Sequence, residues 1–158
     1  ILPYGIGCFM DEDNFISNEE WLYRSVRNQE TECYFNDDGQ LIIKPDAFRD
    51  RNKEPSVDRA KLRNFNPSLS KLSETDGVVS LNTYCVRSIG EVKTNKDDGD
   101  LTHSVDVIYE PTPENSAHSK ITVEPNFFGS EKKQKNAFKL LRISLARLAT
   151  QKGWILKP

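Results

Sequence analysis

The 158-residue chain contains only three cysteines, Cys8, Cys33 and Cys85, and they lie far apart in the sequence. No two of them form a CxxC pair, so the sequence excludes the common cysteine-based zinc sites and gives no disulfide framework. An odd number of isolated thiols is typical of a protein from a reducing compartment. We therefore expect a cytoplasmic protein with free thiols and no metal bound through cysteine.

The sequence also lacks long apolar runs and the common cofactor motifs. A membrane-spanning helix needs about 18 apolar residues, and the chain has no such run. The first ten residues are fairly apolar, but they contain no basic residue and include Pro3, Gly5 and Gly7, unlike a secretory signal peptide. There is neither a Walker loop nor a dinucleotide-binding glycine fingerprint. We therefore expect no membrane insertion and no cofactor.

Acidic and basic residues are distributed unevenly along the chain, although the net charge is only −2. Residues 1–40 contain nine Asp and Glu against two Arg, whereas residues 130–158 contain eight Lys and Arg against one Glu. The small net charge excludes a uniformly basic nucleic-acid-binding protein. The basic end still predicts a surface that attracts a protein partner or a nucleic acid.

The length predicts a single domain over residues 1–158, with a core that needs no disulfides. Residues 1–20 read as an extended acidic lead-in, and the chain begins at Ile1 rather than at methionine, as a fragment of a longer protein would. The carboxylates of Asp11–Asp13 could hold calcium or magnesium, but their spacing lacks the pattern of an EF-hand. A solvated turn therefore explains this patch better than a metal site.

Short runs of alternating apolar and polar residues predict a mostly antiparallel sheet. Trp21–Arg27 fits a strand better than the alternative of a short helix that opens at Ser17. The turn sequence Asn36–Gly39 predicts a hairpin between the apolar runs on either side of it. The longest predicted strand is Gly77–Ile89, which is rich in valine and other strand formers. Further predicted strands are His103–Tyr109 and Lys120–Val123.

The most regular helical pattern is Glu131–Lys152. Ser130 can cap its amino end, and Gly153 can end it. Its large apolar residues share one helical stripe: Phe138, Leu141, Leu145 and Leu148. We therefore expect an α+β domain whose C-terminal amphipathic helix packs on one face of the sheet, with Trp154 and Ile155 folding back onto the core.

The other sides of this helix are basic and form a candidate binding surface. Its members are Lys132, Lys135, Lys139 and Arg142. Such a face can follow nucleic-acid phosphates or dock on an acidic protein, and it is also typical of an ordinary solvated helix. No aromatic residues interleave with the basic ones, which argues against binding of single strands by base stacking.

The segment Leu41–Arg63 combines an apolar start with dense charge. Arg49–Glu54 has no apolar residue and must be exposed, because unpaired charges are costly to bury. Ser56–Arg63 is predicted to form a short helix, with Ser56 or Asp58 as its N-cap. The segment contains a set of candidate anion-binding residues: Arg49, Arg51, Ser56, Asp58, Arg59 and Arg63. The alternative is a solvated loop and a capped helix with internal ion pairs.

Four short motifs, in this order, resemble a pattern of small bacterial proteins of uncharacterised function: LYRSVR, PDAF, SVDRAKLR and AHSKI. The resemblance spans roughly Trp21–Ile121, and its most specific part runs from Phe48 to Ala60. No activity is known for such proteins, so the resemblance implies no catalytic residue. It implies a bacterial, cytoplasmic protein that serves as an accessory component of a mobile-element or defence system.

Three residues are candidates for catalysis on a phosphate group. His118 is the candidate general acid or base, because histidine titrates near neutral pH. Arg24 on the first predicted strand could point into a cleft and hold a phosphate, as in ADP-ribosyltransferase-type folds, and Arg59 would join it from the central segment. His103 lies on a strand that could pair with that of His118, so a catalytic histidine pair is a further hypothesis. An ordinary hydrogen-bonded strand-end histidine is the alternative for both.

These features leave two functional hypotheses. The first is a binding or accessory module of a bacterial multi-component system, which acts through a protein partner or a nucleic acid. The second is a small enzyme that acts on nucleotide or RNA phosphate and is ADP-ribosyltransferase-like or nuclease-like. An enzyme should bring Arg24, the Ser56–Arg59 segment and His118 into one cleft, whereas a module should leave them scattered.

Overall fold

Antiparallel strands dominate the computed structural model, which describes residues 14–93 and 102–158. Within these residues, seven strands form one sheet in the order β6-β7-β8-β4-β1-β5-β9, and β2 pairs with β3 in a separate hairpin. The strands are β1 (Trp21–Val26), β2 (Cys33–Phe35), β3 (Leu41–Ile43), β4 (Ser56–Arg59), β5 (Gly77–Asn82), β6 (Glu91–Lys93), β7 (Thr102–Tyr109), β8 (His118–Glu124) and β9 (Trp154–Leu156). The acidic patch Asp11–Asp13 lies outside the described residues.

Two α-helices and three short 3-10 helices accompany the strands in the described part of the chain. They are α1 (Thr83–Arg87), α2 (Glu131–Lys152) and the 3-10 helices Pro45–Phe48, Ala60–Arg63 and Pro67–Ser70. The predicted α+β class, with a mostly antiparallel sheet and a C-terminal helix, is confirmed. None of the helices in this part is both long and apolar enough to cross a membrane.

Helix α2 has the predicted limits and buries the predicted face. The Ser130 side chain accepts a hydrogen bond from the Lys133 amide, and Gly153 ends the helix at a φ of 75°. Phe138, Leu141 and Leu145 are buried in a core that also contains apolar side chains of the central strands. Because these side chains follow the 3.6-residue period of a helix, one stripe covers one face of the sheet.

After Gly153 the chain turns back and adds β9 to the edge of the sheet beside β5. The Trp154 ring packs against the core and lies directly over Gly77, where a side chain would collide with it. Ile155 points outward and is exposed. The predicted return to the core is therefore correct for Trp154 but wrong for Ile155, because neighbouring strand residues point to opposite faces.

The predicted helix at Ser56–Arg63 is wrong. Residues Ser56–Arg59 form β4, which lies between β1 and β8, and only Ala60–Arg63 is helical, as a single 3-10 turn. Neither Ser56 nor Asp58 acts as an N-cap, because the residue before the 3-10 turn is Arg59. Pairing with strands on both sides satisfies the backbone of β4 and overrides the weak local helix signal.

The segment Gly77–Ile89 is a strand only in its first half. β5 ends at Asn82, whose side-chain oxygen accepts a hydrogen bond of 3.2 Å from the Cys85 amide and caps α1. Asparagine is a favourable N-cap, but the apolar residues on both sides of Asn82 favour one continuous strand, which is why the prediction does not include the helix. The predicted hairpin around Asn36–Gly39 and the strands near His103–Tyr109 and Lys120–Val123 are present as β2–β3, β7 and β8.

A polar cleft as candidate active site

A polar cleft of about 1130 Å³ lies mainly on the sheet face opposite α2. In the sheet register Asp58 lies opposite both Tyr23 of β1 and His118 of β8, so these three side chains share a face. Segments after β1, on either side of β4 and between β7 and β8 form the remaining walls. Most of the candidate site residues line this cleft: Arg24, Arg49, Arg51, Ser56, Asp58, Arg63 and His118.

Ser56 and His118 contact each other inside the cleft, on neighbouring antiparallel strands. The distance from Ser56 Oγ to His118 Nε2 is 3.1 Å, and that from His118 Nδ1 to the Glu110 carbonyl oxygen is 2.7 Å. A carbonyl oxygen only accepts hydrogen bonds, so Nδ1 carries a proton. In the neutral imidazole Nε2 is then an acceptor aimed at the Ser56 hydroxyl.

Arg24 is held entirely by the protein. All five guanidinium N–H groups have partners, because they donate to the Asp50 carboxylate and to the carbonyl oxygens of Ala47 and Ser56 at 2.8–3.0 Å. Asp50 in turn accepts a hydrogen bond of 2.7 Å from the Ser56 amide. Arg24 therefore fixes the backbone of Ser56, and it has no donor left for a phosphate.

Asp50 stays ionised in this arrangement. Burial raises the pKa of its carboxyl group, but the hydrogen bonds and the charge of Arg24, with further hydrogen bonds from Ser56, outweigh burial and lower the pKa overall. Asp50 lies in the charged loop that was predicted only to be exposed. Its role depends on Arg24, 26 residues away, and no local pattern signals such a contact.

Asp58 joins the elements on one side of the cleft. Its Oδ2 accepts hydrogen bonds from Ser70 Oγ at 2.7 Å and Arg63 Nε at 3.1 Å, and its Oδ1 accepts one from Asn115 Nδ2 at 2.8 Å. The side chain is only 12% exposed, as expected for a carboxylate with several partners. Asp58 and Arg63, both predicted to bind an anion, are thus largely occupied by each other.

The other cleft cations are more accessible. The exposed Arg49 side chain makes an ion pair with Asp46 at 3.4 Å, and among the described residues Lys71 donates only to the Glu74 carbonyl oxygen. Arg51 is exposed and makes no hydrogen bond or ion pair with any other described residue. Basic and acidic side chains line the cleft in equal number, so it suits a small anionic group better than a long polyanion.

Arg59 lies outside the cleft, on the opposite face of β4 from Ser56 and Asp58. Its side chain is 0% exposed, donates to the Glu20 carboxylate at 2.8 and 2.9 Å, and stacks over the Tyr109 ring at 4.6 Å. A helix would have placed Ser56 and Arg59 on one face, but a strand separates them. The Arg59–Glu20 pair stabilises the fold, and we leave Arg59 out of the candidate site.

The two histidines do not form a pair, although their strands do. In the β7–β8 register His118 lies opposite Glu110, whereas His103 lies just past the Ser104–Glu124 pair near the other end of the two strands. The two histidines are therefore roughly 20 Å apart along the strands. His103 is buried, stacks on Phe128 with ring centroids 4.6 Å apart, and its Nδ1 lies 2.6 Å from the Pro125 carbonyl oxygen. His103 is a core residue, and the histidine-pair hypothesis is wrong.

The basic residues of α2 lie away from the cleft interior. Lys132, Lys135 and Lys139 are exposed, and Lys135 makes an ion pair with Glu131 at 3.6 Å. Arg142 is half-buried, and burial lowers its pKa, with a further contribution from the nearby charge of Arg49. Three members of the predicted basic face are therefore exposed, whereas Arg142 is half-buried near the loop that carries Arg49.

Comparisons with protein-family models, curated proteins and solved structures found no match to this chain. Among the described residues there is also no cluster of three or more His, Cys, Asp or Glu side chains that could hold a metal ion. The resemblance to uncharacterised bacterial proteins therefore stays a prediction, and function is argued from the cleft.

Proposed function

We propose that the protein is a small enzyme that acts on a phosphate group of a nucleotide or of RNA, with the polar cleft as its active site. One observation carries this proposal: His118 Nε2 faces the Ser56 hydroxyl at 3.1 Å inside a cleft with accessible cations. A histidine fixed by one nitrogen and facing an O–H group with the other is the arrangement that general-base catalysis requires.

In the proposed site His118 is the general base. The Glu110 carbonyl holds the imidazole in the tautomer whose free nitrogen points into the cleft. The strand pairing of β4 and β8 fixes the orientation of the ring relative to Ser56. A base that is already oriented reaches the reactive geometry without a further loss of freedom, which is the main advantage of a rigid site.

The accessible cations of the cleft suit a phosphate. Arg51 has no intramolecular partner among the described residues, and Lys71 has no carboxylate partner there, so both charges are available to a ligand. Arg49 can exchange its exposed pair with Asp46 for a phosphate, because an exposed pair contributes little free energy. Phosphoryl transfer depends mostly on positioning and on such charge stabilisation.

The test compares His118→Ala with Glu124→Ala, a substitution at the exposed far end of the same strand β8. Turnover of p-nitrophenyl phosphate, its diester, a cyclic nucleotide and a single-stranded RNA is measured, with circular dichroism to verify folding. We expect His118→Ala to lower kcat by at least about a hundredfold on the substrate that the wild type turns over, and Glu124→Ala to preserve it. Equal turnover in a folded His118→Ala variant would refute the proposal.

The basic face of α2 supports a second proposal, in which the chain also acts as a binding module for a nucleic acid or an acidic protein. The supporting observation is the exposure of Lys132, Lys135 and Lys139 on one side of the helix, beside a half-buried Arg142. The resemblance to bacterial proteins suggests a multi-component system as the setting. Both proposals place the protein in the cytoplasm, where the free thiols of Cys33 and Cys85 would stay reduced.

A further inference from the structure

Ser56 is held more firmly than an ordinary residue at the start of a strand. Its amide donates to Asp50 Oδ2 at 2.7 Å, and its carbonyl oxygen accepts a hydrogen bond of 2.9 Å from Arg24 Nη1. The Arg24–Asp50 ion pair thus clamps the Ser56 peptide groups from both sides. The hydroxyl oxygen lies 3.1 Å from His118 Nε2 in the cleft, and the Ser56 side chain also contributes a hydrogen bond to the Asp50 carboxylate.

We propose that Ser56 is the nucleophile of this site and that the reaction passes through a covalent phosphoserine intermediate. The inference rests on the proposed function and adds the identity of the attacking atom. Ser56 is the nucleophile and His118 is the base that faces it. The Glu110 carbonyl oxygen is the third group, which orients the base. This is the general signature of an activated hydroxyl nucleophile.

Ser56 Oγ forms a bond to phosphorus while its proton moves to His118 Nε2, and the bond from phosphorus to the leaving-group oxygen breaks. The leaving oxygen takes the proton from His118, which restores the neutral imidazole. Water then attacks phosphorus and gives a proton to His118, the bond from Oγ to phosphorus breaks, and Ser56 recovers the proton. No oxidant, reductant or metal is needed for this balance.

A biotinylated alkyl fluorophosphonate tests the nucleophile without knowledge of the natural substrate. In its reaction a bond from Oγ to phosphorus forms, fluoride leaves, and the proton is taken up by the base. We expect the full chain to gain one label, located at Ser56 by peptide mass spectrometry. Ser56→Ala should not be labelled, and His118→Ala should be labelled at least about tenfold more slowly. Ser73→Ala, at another serine of the cleft wall, should be labelled like the wild type.

The outcomes separate this inference from the proposed function. If Ser56→Ala keeps phosphate turnover that His118→Ala loses, the proposed function stands and the nucleophile is wrong, because His118 then activates water or a substrate hydroxyl. If Ser56 is labelled in a His118-dependent way but no phosphate substrate is turned over, the nucleophile stands and the substrate class is wrong. The inference is overturned if the label is found at another residue or if labelling does not depend on His118. It is also overturned if the chain is not labelled under conditions in which a serine hydrolase, the positive control, is labelled.

Discussion

Arg24 and Asp50 bind each other through two parallel N–H···O hydrogen bonds, both of 3.0 Å, across 26 residues of sequence. The side chains of the pair are only 12% and 23% exposed. The same two residues anchor the amide and the carbonyl oxygen of Ser56. The pair therefore links the stability of the central sheet to the geometry of the cleft.

Arg24→Lys should destabilise the protein although it keeps the charge. Lysine cannot reproduce the fork of a guanidinium, so the bidentate contact with Asp50 and several of the contacts with carbonyl oxygens are lost. We expect the free energy of unfolding to fall by about 3 kcal/mol in urea denaturation. Arg27→Lys, at an exposed position with a 3.7 Å ion pair, is the matched control and should change it by less than about 0.5 kcal/mol. Equal losses in the two variants would contradict a special role for Arg24.

Stability should depend on pH through Glu20, the partner of Arg59. Burial raises the pKa of Glu20, but hydrogen bonds from Arg59 and the Ser17 amide, with the charges of Arg59 and Lys61, lower it overall below its ordinary value of 4.5. A depressed carboxyl pKa stabilises the folded state above the unfolded pKa, and this contribution is lost as the pH falls through the folded pKa. Acid should therefore remove the contribution of the pair below about pH 4.5.

The measurement is urea denaturation of the wild type and Glu20→Gln at several pH values between neutral and strongly acidic. At neutral pH we expect Glu20→Gln to be about 3 kcal/mol less stable, because it leaves Arg59 buried without a counter-charge. The difference should shrink as the pH falls below the ordinary carboxyl range. Glu19→Gln, at the exposed neighbouring position, is the control and should show no such convergence. A constant difference at every pH would show that charge pairing is not the cause.

Local signals in the sequence were sufficient for the elements whose structure is locally determined. The limits of α2 follow from Ser130, from the apolar stripe and from Gly153, and all of these act within a few residues. The hairpin follows in the same way from Asn36–Gly39, where Gly39 adopts a φ of 77° that favours glycine. Such signals need no knowledge of the rest of the chain.

The arrangement of the candidate site depends on the pairing of β4 with distant strands, which the local sequence does not determine. Whether Ser56–Arg59 is a helix or a strand decides which of its side chains share the cleft, and that choice is made by β1 and β8, which flank it. Prediction therefore placed Ser56 and Arg59 together when the sheet separates them. His118 was identified from its residue type alone, whereas its contact with Ser56 follows from the register of two distant strands.

Gly77→Ala should destabilise the edge of the sheet through one contact. A Cβ atom at this position would overlap the Trp154 ring, which covers the glycine as β9 pairs with β5. Overpacking of this kind costs about 1–3 kcal/mol, and we expect that loss in thermal or urea denaturation. The control is the same substitution in a Trp154→Ala background, where most of the cost should disappear. An undiminished cost in that background would place its origin in the backbone rather than in the ring.

Two matched triple variants separate the effect of the basic face of α2 on binding from the effect of net charge. Lys132→Glu, Lys135→Glu and Lys139→Glu reverse the face near the amino end of α2, and Arg147→Glu, Lys152→Glu and Lys157→Glu make the same change of charge further along. The first triple variant should keep α2 folded, because all three side chains are exposed and Lys132 lies in the first turn, where an acidic residue is favourable.

Binding of a fluorescein-labelled RNA strand and of duplex DNA is measured by anisotropy across a range of salt concentrations. If the face contacts phosphates, the wild type should bind more weakly as salt rises, and the first triple variant should lose about three units of the slope of log K against log salt. The second triple variant should lose less, because none of its three residues belongs to the predicted basic face of Lys132, Lys135, Lys139 and Arg142. Equal losses in both would mean that only long-range charge acts. Salt-dependent binding that survives the first triple variant would show that nucleic acid binds elsewhere, with Arg49, Arg51 and Lys71 of the cleft as the next residues to alter.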